Sequence, residues 1–529
     1  MPTLPRPIRL ALIVVALAVA AVAGVAVYDT VTRDEPTYEA LSGTTALDGW
    51  EPSWSEPVEL AGGAGDTAEA GETAEDQASD LIGGCDEGLP RRWMVIGWDA
   101  AEWRLLLPLM EAGELPNFER LLRSGTHGNL GSFLPSISPA IWTTVATGVP
   151  PSEHGIRHFY NQRPRLERWW SRLKNFGQLD RHLFSNADRR APAIWNQLSD
   201  RGRRVMTVGY HNTFPVEEIS GLMVSNYLMQ DSIGELMNMR ADGGDASPFA
   251  LSLVYPQEHL DRVLQIQDEV NRGLPEAIRQ FADLDDEDTY RRILRASREL
   301  PEEGDQRPYF LARAYVFDEI AARAAESFYE EIAPDLWMAH FQSLDWAAHQ
   351  FLYFHEPDTY DDMPWDEETR RQLEAQQSLY EDTVPAFYRY MDGWLGRFLA
   401  LRQDDTAVLL LSDHGVGPGP DPAVPGYHDD GPPGVIVMAG PGIRRGHRLE
   451  GATIYDVLPT LMAALELPVA EDLPGQTLDD AFCSAAWSAR RQETVASYQS
   501  GERFVPEVAK PPELDSALID QLESLGYIK

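Results

Sequence analysis

The chain has 529 residues, with 84 acidic and 44 basic side chains, which gives a formal net charge of −40 at pH 7. Hydrophobic residues make up 43% of the chain and can bury a large core, so a wholly disordered protein is excluded. Proteins that coat nucleic acids need a cationic face, and this charge balance argues against one. Two cysteines, Cys85 and Cys483, exclude a disulfide-rich scaffold and a cysteine-based zinc module. They either form one disulfide in an oxidising compartment or remain two thiols.

The N-terminus has the pattern of an export signal. Arg6 and Arg9 precede an apolar run from Leu10 to Val27, which as a helix of ~27 Å is just long enough to cross a hydrocarbon core. The small residues Ala21-Val22-Ala23 also suit cleavage of a signal peptide. We favour an uncleaved anchor over residues 1–33, which would put a single-pass protein in the cell membrane with its body outside the cytoplasm, periplasmic or extracellular. Cleavage would give a secreted protein.

Residues 34–90 predict a flexible acidic tether. They contain fifteen acidic residues and no Lys or Arg, and they lack periodic apolar positions. Such a segment cannot bury enough surface to offset its ordering entropy. We therefore expect a spacer between the membrane and a folded body.

From about residue 91, apolar runs typical of buried strands alternate with helical patterns. The runs are Trp93–Trp98, Arg203–Gly209, Leu336–Phe341, Thr406–Leu411 and Gly434–Ala439, and the helical patterns include Trp103–Met110, Ala191–Leu198 and Ile454–Leu465. This alternation predicts an α/β fold with a mainly parallel central sheet and helices on both faces.

The segment 234–308 differs from the rest of the body. It is rich in Asp, Glu and Arg and contains helix-like stretches at 256–272 and 289–298. We expect a helical insertion that caps the mouth of the site, or a surface elaboration without a catalytic role. It would divide the catalytic domain into 91–233 and 309–480, with a C-terminal tail over 481–529.

Acidic and histidine residues follow several of the apolar runs. They are Asp99, Asp345, His349, Asp413, His414 and His428. The carboxyl ends of parallel strands meet at one edge of a sheet, where ligands gather. Asp345 and His349 are four residues apart and would share one helical face. Carboxylate and imidazole suit zinc and its transition-metal neighbours, so the set predicts a metal site.

Ser138 is a candidate nucleophile. It precedes Pro139, which is pre-set for a first helical turn, so Ser138 would lie at a helix N-cap. Free backbone N–H groups and the helix dipole there favour an anion. A helix cap without any chemistry would account for the same Ser-Pro pair.

These motifs carry a family resemblance. They are Ile96-Gly97-Trp98-Asp99, Ser138-Pro139 through Thr147-Gly148, His154-Gly155, Leu344-Asp345 to His349, Leu411-Ser412-Asp413-His414-Gly415, and His428. In their order and spacing the chain resembles the type I phosphodiesterase/nucleotide pyrophosphatase family of the alkaline phosphatase superfamily. The resemblance implies an alkaline phosphatase-like fold and an exported phosphodiesterase that acts on a phosphate ester.

The resemblance also implies roles for individual residues. Two Zn²⁺ ions, or another divalent transition metal, would be held, the first by Asp99, Ser138, Asp413 and His414 and the second by Asp345, His349 and His428. Ser138 would be the nucleophile and would form a phosphoseryl intermediate. Two alternatives remain open: a phosphotransferase that passes the phosphoryl group to a lipid or glycan alcohol, and a catalytically inactive relative that only binds.

The chain departs from the nucleotide pyrophosphatase branch at two positions. That branch commonly has a threonine nucleophile and an asparagine three residues later that contacts the phosphoryl oxygen, where this chain has Ser138 and Ile141. Isoleucine cannot donate a hydrogen bond. Another donor must replace the asparagine, or the substrate differs.

Overall fold

The computed structural model describes residues 82–85, 87–163, 180–229, 247, 249–301, 304–428, 431–498 and 512–526. The expected anchor at 1–33 and nearly all of the expected tether lie outside these residues. Within the described ranges, no helix combines the length and the apolar character needed to cross a bilayer.

The strands, in chain order, are β1 Gly83–Gly84, β2 Arg92–Trp98, β3 Gly125–Leu130, β4 Tyr160–Arg163, β5 Asp180–Leu183, β6 Val205–Val208, β7 Gly221–Val224, β8 Val254–Tyr255, β9 Leu336–Phe341, β10 Thr406–Leu411, β11 Gly417–Asp421, β12 Val424–Tyr427, β13 Gly434–Pro441, β14 His447–Leu449, β15 Val469–Ala470 and β16 Thr494–Val495.

The α-helices are α1 Trp103–Glu111, α2 Pro116–Arg123, α3 Ser138–Thr147, α4 Pro151–His154, α5 Ile194–Ser199, α6 Leu260–Ala277, α7 Glu287–Ala296, α8 Arg307–Ser327, α9 Tyr329–Ile332, α10 Ser343–His355, α11 Glu367–Glu374, α12 Gln377–Tyr380, α13 Thr383–Leu401, α14 Val457–Ala464, α15 Ser484–Ala489 and α16 Pro512–Ser524.

One ten-stranded sheet forms the centre of the molecule, in the order β14-β3-β13-β10-β2-β9-β6-β7-β8, with β1 beside β13. The five adjacent strands β10, β2, β9, β6 and β7 are parallel, whereas β13 runs antiparallel between β10 and β3. The expectation of a mixed α/β fold built on a largely parallel central sheet is confirmed.

The sheet is buried on both faces. Along β2, Met94 and Ile96 belong to one hydrophobic cluster, whereas Trp93 and Val95 belong to another. Successive side chains of a strand point to opposite faces, so the two clusters lie on opposite sides of the sheet. This explains why the strands read as continuous apolar runs instead of alternating ones.

The strand bounds agree closely with the sequence pattern. The runs 336–341 and 406–411 are strands β9 and β10 with the same ends, and the run 203–209 is shortened to β6. The helical pattern at 256–272 becomes α6, which is preceded by a 3-10 turn at Gln257–His259.

The described part of the 234–308 segment is joined to the main core. Its strand β8 pairs antiparallel with β7 at the edge of the sheet. Helix α6 packs on α8, and its buried residues Val263 and Val270 belong to the same cluster as Met94 and Ile96. The segment therefore shares the hydrophobic core of the sheet.

A disulfide joins the two ends of the folded body. Cys85 and Cys483 are bonded, with a Cα–Cα distance of 5.4 Å across a sequence separation of 398 residues. Of the two states that the sequence left open, the structure has the disulfide. Cys85 directly follows β1 and Cys483 directly precedes α15.

Candidate active site

Three neighbouring strands bring the acidic residues to one edge of the sheet. Asp99 follows β2, and Asp413 lies two residues after the end of β10, the parallel neighbour of β2. On the other side of β2, strand β9 leads into α10, which begins at Ser343 and carries Asp345. The shared edge that the strand pattern predicted is therefore present, and Asp99 lies close to the other residues of the set.

The carboxylate of Asp99 is buried, with different partners on its two oxygens. Oδ1 accepts from Ser138 Oγ at 3.4 Å and lies 3.7 Å from His414 Nε2. Oδ2 accepts from Trp142 Nε1 at 3.1 Å and lies 3.1 Å from His340 Nε2. Because one oxygen is held from behind, the other is directed at Ser138 and His414.

The electrostatics of Asp99 follow from these contacts. Burial alone raises its pKa, but hydrogen bonds from His211 and His340 outweigh burial and hold the pKa well below its usual range. Asp99 is therefore ionised at neutral pH. Burial lowers the pKa of His211 to about 4, against the opposing effect of Asp99, so this imidazole is neutral at pH 7.

Ser138 opens helix α3. The helix begins at Ser138, with Ile137 as its N-cap and Pro139 in the first turn, so the start differs by one residue from the expected cap position. Proline has no N–H and is favoured at this point of a helix. The Oγ of Ser138 lies 3.4 Å from His414 Nε2 and the same distance from Asp99 Oδ1. The hydroxyl is thus placed between two metal-ligand candidates.

Asp413 and His414 lie at a tight bend after β10. Asp413 Oδ1 accepts the backbone N–H of Ala100 at 3.3 Å, and its Oδ2 lies 3.3 Å from His414 Nε2. Ala100 has a φ of 61°, a left-handed conformation that non-glycine residues rarely adopt. The backbone after Asp99 is therefore strained where it contacts Asp413.

The remaining three candidates come from α10 and the hairpin β11–β12. Asp345 Oδ1 lies 3.5 Å from His349 Nε2, one helical turn away. The ring of His428 lies 5.3 Å from the ring of His349 and 4.9 Å from that of His414, measured between centroids. His428 directly follows the last strand of this hairpin. Within that strand, a Cβ on Gly426 would collide with the carbonyl of Ala348, so glycine allows the hairpin to lie against α10.

The donor set fits a divalent cation. Burial raises the pKa values of Asp345 and Asp413 well above the usual range, and the nearby charge of Asp99 raises them further. Within the described structure, Asp345 Oδ1 and Asp413 Oδ2 are buried and have no hydrogen-bond partner. Ligand atoms of Asp99, Asp345 and His414 all lie within 4.8 Å of one another. Mutually repelling, buried carboxylates beside imidazoles are the arrangement that a metal ion would neutralise.

The structure also brings in histidines that the sequence pattern missed. His340 lies inside the apolar run of β9, where nothing distinguished it from a core residue. His211 lies just beyond β6, with its Nε2 3.8 Å from Asp99 Oδ2 and 3.0 Å from Gln342 Nε2. The sequence did contain one indication of His211, because this residue follows the predicted strand at 203–209 and so lies at the same edge of the sheet as Asp99.

The departure at Ile141 also has a structural counterpart. Ile141 is fully buried in the hydrophobic core and is not among the residues that line the cleft beside Ser138. The cleft beside Ser138 is instead lined by the polar side chains of His211, Asn212 and Gln342. These side chains are the available replacements for the missing asparagine donor.

Comparison with known proteins gives the family. The model of the type I phosphodiesterase / nucleotide pyrophosphatase family matches residues 93–430, which is more than half of the chain. The chain belongs to this family. The predicted family is confirmed, and membership supports the predicted class of enzyme, a hydrolase of phosphate esters. The match spans β2 to the hairpin and His428, and thus contains every candidate site residue named above.

Solved structures of similar fold have low sequence identity. Phosphonoacetate hydrolase from Sinorhizobium meliloti is 17% identical, with a TM-score of 0.34 over 64% of this chain and 60% of that chain. Murine ectonucleotide pyrophosphatase/phosphodiesterase 5 is 12% identical, with a TM-score of 0.40 over 74% of this chain and 100% of its own. A mutant of the alkaline phosphatase PafA is 10% identical, with a TM-score of 0.45 over 75% of this chain and 99% of its own. Sequence comparison found no match to a curated protein.

Proposed function

We propose that this chain is a metal-dependent phosphodiesterase that works through a phosphoseryl intermediate on Ser138. The observation that carries the proposal is the position of Ser138 Oγ, buried at the start of α3 and 3.4 Å from both Asp99 Oδ1 and His414 Nε2. A helix start favours negative charge on an attacking oxygen. A hydroxyl held at this point can attack the phosphorus of a phosphodiester and displace one of its alcohols.

Two divalent cations, which we expect to be zinc, would be held by the seven residues of the predicted set. The first group is Asp99, Ser138, Asp413 and His414, and the second is Asp345, His349 and His428. Bound there, the cations would supply Lewis-acid stabilisation of negative charge on the attacking and leaving oxygens. The carboxylate and imidazole chemistry of the set supports this assignment, as do the buried oxygens of Asp345 and Asp413 that accept no hydrogen bond.

The protein's own residues would carry the covalent steps. Ser138 Oγ attacks phosphorus and gives up its proton to solvent water, and the bond to the leaving alcohol breaks with its electron pair on oxygen, which takes up one proton from solvent in return. Water then attacks the phosphoseryl group, restores the Ser138 hydroxyl and releases a phosphate monoester. Asp99, ionised and held by Trp142 and His340, stays fixed through both steps.

We also propose that the enzyme works outside the cytoplasm, anchored to the cell membrane by residues 1–33 or secreted if these are cleaved. The Cys85–Cys483 disulfide supports an oxidising compartment, because such bonds are rare in the cytosol. The apolar run Leu10–Val27 supports export independently of the disulfide.

Hydrolysis of bis(4-nitrophenyl) phosphate by Ser138→Ala, Ser138→Thr and Ser136→Ala variants tests the mechanism. Ser138→Ala should lower kcat by ~10³-fold or more. Metal content, measured by mass spectrometry, should stay largely intact, because Asp99, Asp413 and His414 of the first group remain. Ser138→Thr should keep partial activity because a hydroxyl remains, and Ser136→Ala controls for loss of a nearby buried serine. Substantial turnover by Ser138→Ala would refute the assignment of the nucleophile.

A side-by-side assay defines the reaction. Phosphate mono- and diesters, sulfate esters and phosphonate esters would be compared with and without a lipid or glycan alcohol as acceptor. Release of inorganic or monoester phosphate independent of acceptor supports hydrolysis. Transfer of the phosphoryl group to the alcohol would favour the phosphotransferase, and no turnover of any ester by metal-loaded protein would favour a binding relative.

A further inference from the structure

The cleft beside Ser138 has an unusual composition for a site that binds an anion. Both Asp99 and Ser138 line it. Among the described residues that line it, none is Lys or Arg. A nucleotide or a pyrophosphate carries several negative charges away from the reacting phosphorus, and these would find no cationic partner among the described lining residues.

The cleft beside Ser138 also has apolar lining, part of it aromatic. Phe159, Phe184 and Trp346 line it from the catalytic body. Trp346 lies on α10 next to Asp345, so this apolar wall begins directly beside the metal-ligand candidates. A substituent of the reacting phosphate that lies along this wall would contact apolar side chains.

The C-terminal helix completes the wall. Leu518, Gln521, Leu522 and Leu525 all line the cleft. Their spacing of i, i+3, i+4 and i+7 is that of one helix face. Leu518 and Leu525 are buried, whereas Leu522 is only partly buried at the cleft.

Contacts with two separate parts of the body hold this helix. Gln306 Nε2 donates to Ser524 Oγ at 3.3 Å, which ties the end of α16 to the start of α8. Gly526 packs against Val424, the first residue of β12 in the hairpin that precedes His428. The C-terminal helix is therefore held where its residues line the cleft beside Ser138.

We propose that α16 and the turn after it form the specificity wall of the active site, and that the substrate is a singly charged phosphodiester with one bulky hydrocarbon alcohol. The inference rests on the proposed function and names its substrate class. The reacting phosphate would lie at Ser138, and the hydrocarbon would contact the aromatic side chains of the body and the leucines of α16 and the turn after it. Burying such a group against Leu522 stabilises the bound diester through the apolar area removed from water.

Three 4-nitrophenyl phosphodiesters test the proposal, with methyl, phenyl or decyl as the second alcohol, so that the leaving group is constant. The metal-loaded enzyme should have a higher kcat/KM for the phenyl or decyl diester than for the methyl diester. Leu522→Ala should lower that preference about tenfold, the scale of one lost apolar contact in a pocket. A phenyl preference over decyl indicates an aryl alcohol, and the reverse indicates a long alkyl chain.

Ile519→Ala is the matched control, because Ile519 is a buried apolar residue on the same helix that does not line the cleft. It should leave the preference unchanged. Equal losses for all three diesters in Leu522→Ala, or no preference in the wild type, would overturn the proposal and leave α16 a purely structural role.

Binding of the same three diesters to Ser138→Ala protein, measured by calorimetry, separates this proposal from the proposed function. A hydrocarbon preference in Kd that Leu522→Ala removes supports the wall even if no diester is hydrolysed, a result that would refute only the hydrolase. Hydrolysis of the methyl diester without any preference in kcat/KM or Kd would refute only the wall.

Discussion

The imidazole Nε2 of His340 lies 3.1 Å from Oδ2 of Asp99, the carboxylate oxygen that faces away from Ser138. His340 belongs to β9 and Asp99 follows β2, so the contact joins two adjacent strands. Gly97 provides the space for it, because a Cβ there would lie 3.1 Å from the His340 ring and 2.7 Å from the Trp142 ring. A side chain that holds the rear oxygen of a metal ligand fixes the direction of the front oxygen.

Replacing His340 should therefore weaken metal binding without removing a ligand of the predicted set. We expect His340→Ala to lower metal affinity by ~10–100-fold, the usual cost of losing a partner behind a ligand. His340→Gln should recover part of the loss, because its amide can still donate to Asp99. Competition with a chromogenic chelator measures the affinity.

The surface pair of His447 and Asp480, 2.6 Å apart, provides the control. His447→Ala removes an imidazole–carboxylate contact far less buried than that of His340 and should leave metal affinity at the wild-type value. An unchanged affinity in His340→Ala would contradict the positioning role.

Asp345 should show opposite effects on the metal-free and metal-loaded proteins. Burial and the charge of Asp99 raise its pKa well above the usual range, so in the absence of metal its carboxylate is poorly accommodated. Asp345→Asn should leave the chelator-treated protein at least as stable as the wild type, because a repelling charge is removed. It should also reduce bound metal from two ions toward one.

Thermal unfolding with and without chelator, together with metal analysis, checks both effects. The stabilisation by added metal should be smaller in Asp345→Asn than in the wild type. If the variant keeps the wild-type stoichiometry, Asp345 is not a ligand, whatever its effect on melting temperature.

The sequence was sufficient to predict the strands that carry the site. Runs such as 336–341 and 406–411 are buried at every position because both faces of the sheet are covered, and each is apolar at all positions but one, His340 and Thr406 respectively. Such a pattern is typical of a fully buried strand. The helical turn that holds Asp345 and His349 was equally readable, since a spacing of four residues fixes a shared face.

Other parts of the site depend on contacts that no local pattern encodes. His340 has the burial of a core residue, and only the packing of β9 beside β2 brings it to Asp99. Leu522 lies more than 380 residues after Ser138 in sequence, yet both line one cleft. Strand order and the docking of the C-terminal helix are tertiary properties, so the sequence pattern could not predict these contacts.

Glu102 gives the protein a predicted pH dependence. It is fully buried, and burial raises its pKa from 4.5 to about 7 although Arg104 lies 2.6 Å away and opposes the shift. The folded state thus holds a proton that the unfolded state releases above pH 4.5. The stability from this proton is complete below pH 4.5 and is lost as the pH rises to about 7, by about 3 kcal/mol in all.

Glu102→Gln should remove this dependence, because the amide is neutral at every pH. Denaturant unfolding of chelator-treated protein from pH 4.5 to pH 8 should therefore give a flatter profile in the variant, with the difference from wild type concentrated below pH 7. Glu119→Gln, which affects a more exposed Glu–Arg pair on α2, should follow the wild-type profile. Parallel profiles for Glu102→Gln and the wild type would contradict the prediction.

Removing the Cys85–Cys483 disulfide should destabilise the catalytic body. The bond closes a loop across 398 residues, so it excludes many extended conformations from the unfolded chain. The double variant Cys85→Ser/Cys483→Ser should lose about 2–5 kcal/mol in free energy of unfolding.

Denaturant unfolding of wild type with and without a thiol reductant separates the crosslink from the effect of serine at the buried Cys483, since reduction alone should cause most of the loss. The variant should be insensitive to the reductant. Equal midpoints for oxidised and reduced wild type would show that the bond does not stabilise the fold, and would remove one support for an oxidising compartment.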